Sequence, residues 1–179
     1  MSGAPPIFTI GHSTRSISEF VELLRCGPID MVVDVRTVPR SRRNPRYNED
    51  VLGAELAPYQ ISYRRIADLG GLRGRSPDVP PDLNGFWKNQ SFHNYADYAL
   101  SERFAAAIDE LRQLSASRRC AIMCAEAVWW RCHRRIIADY LLTRGQTVLH
   151  LLGTDRVDLA KLTPGAAVVD GKVLYPSQA

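Results

Sequence analysis

The densest chemistry in the chain lies between residues 119 and 135, where Cys120, Cys124, Glu126, Arg131, Cys132, His133 and Arg134 fall together. Thiol, carboxylate, imidazole and guanidinium groups sit there between a short apolar run, residues 120–124, and an amphipathic stretch, residues 131–143. That pattern reads as a strand handing over to a helix, which is where open α/β sheets place ligand sites. A helix N-terminus offers unpaired N–H groups and partial positive charge, and both favour an anion or a thiolate. Cys124 has three readings. It is a nucleophile if the helix end, Arg131 and His133 lower its pKa. It is a metal ligand if Cys132, His133 and His12 join it, although Cys-x7-Cys-His matches no usual zinc spacing. It is structural if it behaves as a small buried hydrophobe, as most unpaired cysteines do. Cys26 and Cys120 read as structural.

Two further strand ends carry polar groups. Residues 7–10 form an apolar strand that stops at Gly11 and delivers His12 and Ser13. Residues 31–35, apolar enough to be central in a parallel sheet, carry Asp34 and deliver Arg36. An acid inside an apolar strand needs a partner, either Arg36 in a structural pair or a reacting group. If these strands are parallel, all three ends share one rim of the sheet. The candidate catalytic residues are then His12, Asp34, Cys124, Glu126 and His133. The candidate substrate-binding residues are Ser13, Arg36, Arg40, Arg43, Tyr95, Arg131 and Arg134. Trp129 and Trp130 either stack on a base or pack in the core.

The elements that must position these groups are legible. Ser16 and Glu19 form a capping box ahead of a helix with Ile17, Phe20, Val21 and Leu24 on one face, ending near Gly27. A short helix is predicted over residues 49–57 and a third strand over 61–64. Residues 66–93 are broken by Gly70, Gly71, Gly74 and several prolines, and read as an ordered flap closed by Phe86, Trp87, Phe92 and Tyr95. Helix follows over residues 95–115, with a break near Ser101. In the helix predicted over residues 131–143, the rows Cys132, Ile136, Tyr140 and His133, Ile137, Leu141 face the sheet, while Arg135 and Asp139 face away. A fifth strand is predicted over residues 147–151. Alternating strand and helix predict an α/β fold: a single domain with a mostly parallel open sheet flanked by helices, over residues 1–152. Residues 153–179 form a C-terminal extension, with a hairpin over residues 168–173 turning at Asp170-Gly171 and packed on the same domain.

At 179 residues, 45% apolar and 23% charged, the chain suits one globular domain. No run of 18 apolar residues is present, so no membrane span is expected. No secretory signal is visible, and four cysteines are too few for a disulfide scaffold, so reduced thiols in the cytoplasm are expected. The net charge is +4, with Arg36, Arg40, Arg42, Arg43 and Arg46 grouped where no acid falls between them. Arginine outnumbers lysine 20 to 3. A genome rich in G and C would give that ratio, as would a need for planar forks that grip phosphate or carboxylate. The expected partner is an anionic small molecule or a nucleic acid. No motif calls for a cofactor, and no feature fixes the oligomeric state.

Six elements in order make the chain resemble the bacterial family called domain of unknown function 488: Thr9 to Ser13, Val33 to Arg36, Pro39 to Pro45, Leu69 to Gly71, Phe92 with Tyr95 to Asp97, and Cys124 to Glu126 with Cys132 to Arg134. The resemblance runs from about residue 8 to residue 152 and leaves residues 76–84 and 153–179 unmatched. It implies a compact α/β domain with a site built from the matched residues. The Asp-Val-Arg strand and the Cys on a strand-to-helix loop are also similar to rhodanese-like sulfurtransferases and cysteine phosphatases. The phosphatase loop needs Cys-x5-Arg, however. Here Trp130 takes the Arg position, Arg131 is one residue late, and Glu126 would repel phosphate.

The first functional expectation is an enzyme, a hydrolase or transferase, acting on a nucleotide or nucleic acid. Glu126 or His133 would supply acid–base catalysis, and Arg40 and Arg43 would grip phosphate. The second is a non-catalytic nucleic-acid-binding module, indifferent to Glu126 and Cys124. The third is thiol chemistry at Cys124, either sulfur transfer or redox.

Overall fold

The short apolar runs become strands. β1 (Ile7–Gly11), β2 (Met31–Asp34) and β4 (Cys120–Cys124) are buried at every position in the computed structural model, which describes residues 4–178. Residues 1–3, which bear on an export signal, lie outside the described residues. β3 (Ser62–Arg65) has no fully buried position, as befits an edge. With β5 (Val148–Gly153) and β6 (Arg156–Leu159), the sheet runs β3-β2-β4-β1-β5-β6. The first five strands are mutually parallel and β6 returns antiparallel. Gly11 pairs with Cys124, and Asp34 lies between Met123 and Arg65, so the three polar strand ends meet at one rim.

Alternation along the strands divides the core. Ile7, Val33, Ile122 and Cys124 face one side, where they meet Phe104, Leu111, Ile136 and Tyr140. Phe8, Ile10, Val32 and Met123 face the other, against Phe20, Leu24, Leu52 and Leu56. That second layer is α1 (Ile17–Leu24), started by the Ser16–Glu19 capping box, and α2 (Glu49–Leu56). The first layer is α3 (Gln90–Tyr98), α4 (Glu102–Ser117) and α5 (Arg134–Leu142). The break near Ser101 is present, because its hydroxyl caps α4 by accepting from Phe104 N–H. α3 starts at Gln90 and not at Tyr95, because the Asn89 side chain accepts from the N–H groups of Ser91 and Phe92.

Two expectations for α5 need correction. The helix starts at Arg134, since Trp129–Arg131 form a 3-10 turn and Cys132 is extended. Asp139 does not face solvent; it is 1% exposed, and the Thr163 N–H and the Tyr175 hydroxyl donate to its carboxylate at 3.0 and 2.8 Å. The C-terminal segment covers this face. Its hairpin, β7 (Ala167–Val169) and β8 (Lys172–Leu174), turns through Asp170 and Gly171, both at positive φ. Before that hairpin the chain adds β6 to the main sheet, a strand the sequence reading does not contain.

Residues 66–89 hold short 3-10 turns, Ala67–Leu69 and Pro81–Asn84, and are anchored by Trp87, which stacks on Phe92 at 4.9 Å and meets Tyr175 edge-on. Among the described residues no helix is long and apolar enough to cross a membrane.

Candidate functional site

At the rim where β1, β2 and β4 end, a cavity of about 390 Å³ opens between the basic loop after β2, the Gly71 turn, α3 and the start of α5. His12, Arg36, Arg40, Tyr95, Cys124, Glu126, Arg131, Cys132 and His133 line it, with Thr37, Val38, Ser41, Leu72, Ser91 and Phe92 completing the wall. Eight of the twelve candidate residues therefore converge. Ser13, Asp34, Arg43 and Arg134 do not line it, while Cys132, which the sequence offers only as an alternative metal ligand, does.

Asp34 lies behind the wall, fully buried, with both carboxylate oxygens engaged. Arg36 donates Nε and a terminal nitrogen to it at 2.9 and 2.7 Å, and the Tyr63 hydroxyl donates at 2.5 Å. It orients Arg36 and does not reach the cavity. Arg36, 5% exposed, also donates to Tyr47 O at 2.6 Å and turns its remaining nitrogen towards His12 Nε2 at 3.4 Å. His12 donates Nδ1–H to Ser13 O at 2.9 Å and stacks on Tyr47. Burial lowers its pKa, so it is a neutral imidazole with its Nε2 lone pair facing Arg36. Ser13 acts through its backbone, donating N–H to Ala125 O. Arg43 is exposed and does not line the cavity.

The cavity floor is a pair of sulfurs. Cys124 Sγ and Cys132 Sγ are 2.8 Å apart, and both residues are reduced. His133 Nε2–H donates to Val35 O at 2.7 Å. That bond leaves Nδ1 as the acceptor, and it lies 3.4 Å from Cys132 Sγ. Cys132, His133 and the Val35 carbonyl thus form a continuous chain of thiol, imidazole and carbonyl. Arg134 lies beneath the floor, 1% exposed. It donates Nε to Cys124 Sγ at 3.1 Å, one terminal nitrogen to Thr9 Oγ1 at 3.0 Å and the other to Glu126 O at 2.6 Å. Its fork is spent within the fold, so it does not meet a substrate directly.

Burial by itself would push both thiols up. At Cys132 the Cys124 S–H, His133 and Arg134 together overcome burial and hold the pKa well below its usual value. Cys124 moves the other way, pushed well above its usual value by burial and by the neighbouring sulfur. The two shifts favour the proton on Cys124, whose S–H also faces Glu126 O at 3.6 Å, and the charge on Cys132. The sequence reading offers a lowered pKa as one of three readings of Cys124 and none at Cys132. It missed Cys132 because the helical row with Ile136 and Tyr140 makes that residue look like packing.

Glu126 is exposed at the mouth, and its buried working part is its backbone carbonyl. Gly11 has no room for a side chain because a Cβ there would strike that carbonyl. Tyr95 is buried and its hydroxyl donates to Leu69 O at 2.8 Å, so it presents a ring edge to His133. Gly71 completes the support of His133: a Cβ would come 2.5 Å from Nδ1. Gly71→Ala is therefore expected to displace the imidazole and slow alkylation of Cys132 at pH 7 by about tenfold, the scale of a weakened base. Labelling at the wild-type rate would show that His133 does not act on the sulfur.

Among the described residues no group of three or more His, Cys, Asp or Glu side chains is arranged to hold a metal ion. No curated protein and no solved structure matches the chain. The family described as Domain of unknown function DUF488 matches over residues 16–141, from the cap of α1 to the last turn of α5. That span takes in Asp34, Arg36, Cys124, Cys132, His133 and Arg134 and begins just after His12 and Ser13. On this match over most of its length, the chain belongs to the DUF488 family.

Proposed function

We propose that the protein is a thiolate-dependent enzyme in which Cys132 is the nucleophile and His133 its base. The observation that carries this reading is the pair of sulfurs 2.8 Å apart on the cavity floor, with His133 Nδ1 on one and the Arg134 guanidinium on the other. A purely structural cysteine needs neither a base nor a buried cation beside it. Attack by Cys132 on an electrophile would make a covalent adduct, with His133 returning a proton to the leaving group, which is the chemistry of a transferase or hydrolase.

The walls suggest the ligand. Phe92, Val38, Leu72 and Tyr95 offer apolar surface, and Arg40 and Arg131 stand at the mouth. A small molecule with an apolar body and an anionic group, phosphate or carboxylate, suits both. Arg42 and Arg43 are exposed beside Arg40, and a nucleotide or nucleic acid would use all three. A non-catalytic nucleic-acid module would leave the sulfur–imidazole arrangement without a use, which is why the enzyme is favoured. A reducing cytoplasm is the compartment in which the pair stays as two thiols.

The test is alkylation with iodoacetamide from pH 5 to 9, with each cysteine read by peptide mass spectrometry. Cys132 is expected to label fastest, with a midpoint below the ~8.5 of a free thiol, and exposed Cys26 serves as the internal reference. Cys132→Ser should abolish the fast phase. A Cys132 that labels no faster than Cys26 at any pH would sink the proposal.

A further inference from the structure

The nucleophile does not need a second thiol in contact with it, yet Cys124 is there. Its Sγ touches Cys132 Sγ, and Arg134 Nε donates to the Cys124 sulfur at 3.1 Å, while the Arg134 main-chain N–H donates to the Cys132 sulfur at 3.4 Å. The guanidinium's 3.1 Å contact with sulfur is thus given to the thiol that the pair favours as protonated. A cation placed on a protonated thiol contributes little until that thiol ionises, and then it stabilises the new charge. Thr9 Oγ1 and the Glu126 carbonyl fix the rest of the fork, so the guanidinium is already in place before the charge appears.

Building on the thiolate reading, we infer that Cys124 is a resolving thiol and that the substrate class is a small disulfide, which the pair reduces. Cys132 thiolate attacks one sulfur of the substrate. A Cys132–substrate disulfide forms, the substrate S–S bond breaks, and the departing thiolate takes the proton held by His133. Cys124 then loses its proton, becomes a thiolate beside Arg134, and attacks Cys132 Sγ. The Cys124–Cys132 disulfide forms and the second substrate thiolate leaves, taking up the proton from Cys124. Two thiols and one substrate disulfide become one protein disulfide and two substrate thiols, so the electrons balance. An external thiol reductant resets the pair by the reverse exchange. The approach of the two sulfurs makes the second step intramolecular, and Cys124 needs no journey to reach its target.

The register of the fold supports the same roles. Cys124 closes β4, paired with Gly11 on a buried strand, and is held rigidly. Cys132 lies in extended backbone between a 3-10 turn and the cap of α5, on the segment that leads to the mouth.

The experiment incubates the full reduced chain, without oxygen, with bis(2-hydroxyethyl) disulfide, an uncharged probe small enough for the cavity. The reaction is quenched with acid, free thiols are capped, and the chain is cut with trypsin. Cleavage after Arg131 separates the two cysteines, so a Cys124–Cys132 bond appears as two cross-linked peptides, and fragmentation tells Cys124 from Cys120. The expected result is that cross-link in the wild type with no lasting adduct on Cys132, and a mixed disulfide trapped on Cys132 in Cys124→Ser. A stable mixed disulfide on wild-type Cys132 with no cross-link would overturn the resolving role and leave the nucleophile standing. No reaction at Cys132 at all would overturn the thiolate reading as well. The wild-type cross-link is read without any variant, so a poorly folding Cys124→Ser does not blunt the test.

Discussion

Arg134→Met is expected to destabilise the protein by about 3–5 kcal/mol, the range found when one partner of a buried charged pair is removed. For a chain of this size that corresponds to a fall in Tm of about 6–20 °C. Methionine keeps the stem and much of the volume but none of the donors. Thr9 Oγ1, Glu126 O and Cys124 Sγ would each lose a partner inside the fold, and the Cys132 thiolate would lose its nearby cation. Arg134→Lys is expected to recover only part of the loss, because a point charge cannot reach three acceptors set around a planar fork. Arg131→Met, three residues earlier but exposed, should change stability by no more than about 0.5 kcal/mol. Urea or thermal unfolding of the three variants checks the order. An Arg134→Met protein as stable as Arg131→Met would show that the buried fork is dispensable.

The second large effect is on acid stability. His150 is 1% exposed and accepts the Thr9 hydroxyl proton at Nδ1 across 2.6 Å, beneath the stacked ring of Trp129. Burial, with Arg134 nearby, lowers its pKa from 6.5 to about 3. A histidine with a depressed folded pKa adds stability that is complete above the unfolded value and is lost as pH falls towards the folded one. Between pH 7 and pH 5 the unfolded chain takes up the proton and the folded chain does not. His150 alone should therefore remove about 2 kcal/mol over that interval. His12, lowered mainly by burial, acts with the same sign. Asp139, whose pKa burial raises, acts with the opposite sign, since its contribution falls as pH rises. His150→Asn keeps an acceptor near Nδ1 and cannot be protonated, so its stability should fall less steeply than that of the wild type. Equal slopes for the two proteins would refute the assignment.

The frame of the site was legible because it rests on local signals. Apolar runs of four or five residues gave β1, β2 and β4, the Ser16–Glu19 box gave the start of α1, and parallel alternation put the strand ends on one rim. What was not legible depends on contacts between distant residues. A charged residue in the first turn of a helix normally reaches water, and only the Thr9 hydroxyl and the 126 carbonyl explain why Arg134 turns inward. Asp139 likewise looks solvent-facing until Thr163 and Tyr175 cover it. Cys132 was obscured by helical spacing that continues one turn too early, through a segment that is in fact a 3-10 turn and an extended residue. Gly71 carried a usable signal. A second glycine after Gly70 is more than a chain breaker when a ring packs where its side chain would be.

The span of the Arg134–Thr9 contact, 125 residues, bears on how the protein matures. Closing so long a loop is entropically unfavourable, and contacts of that range form late in folding. Until they form, each cysteine of the emerging chain is an ordinary thiol, mostly protonated at neutral pH. On the proposed thiolate reading, Cys132 would become acidic only once Cys124 and Arg134 are packed beside it. A nascent or partly unfolded chain would then be spared the side reactions of its own site, and the rate of Cys132 alkylation would serve as a clock that starts when folding is complete.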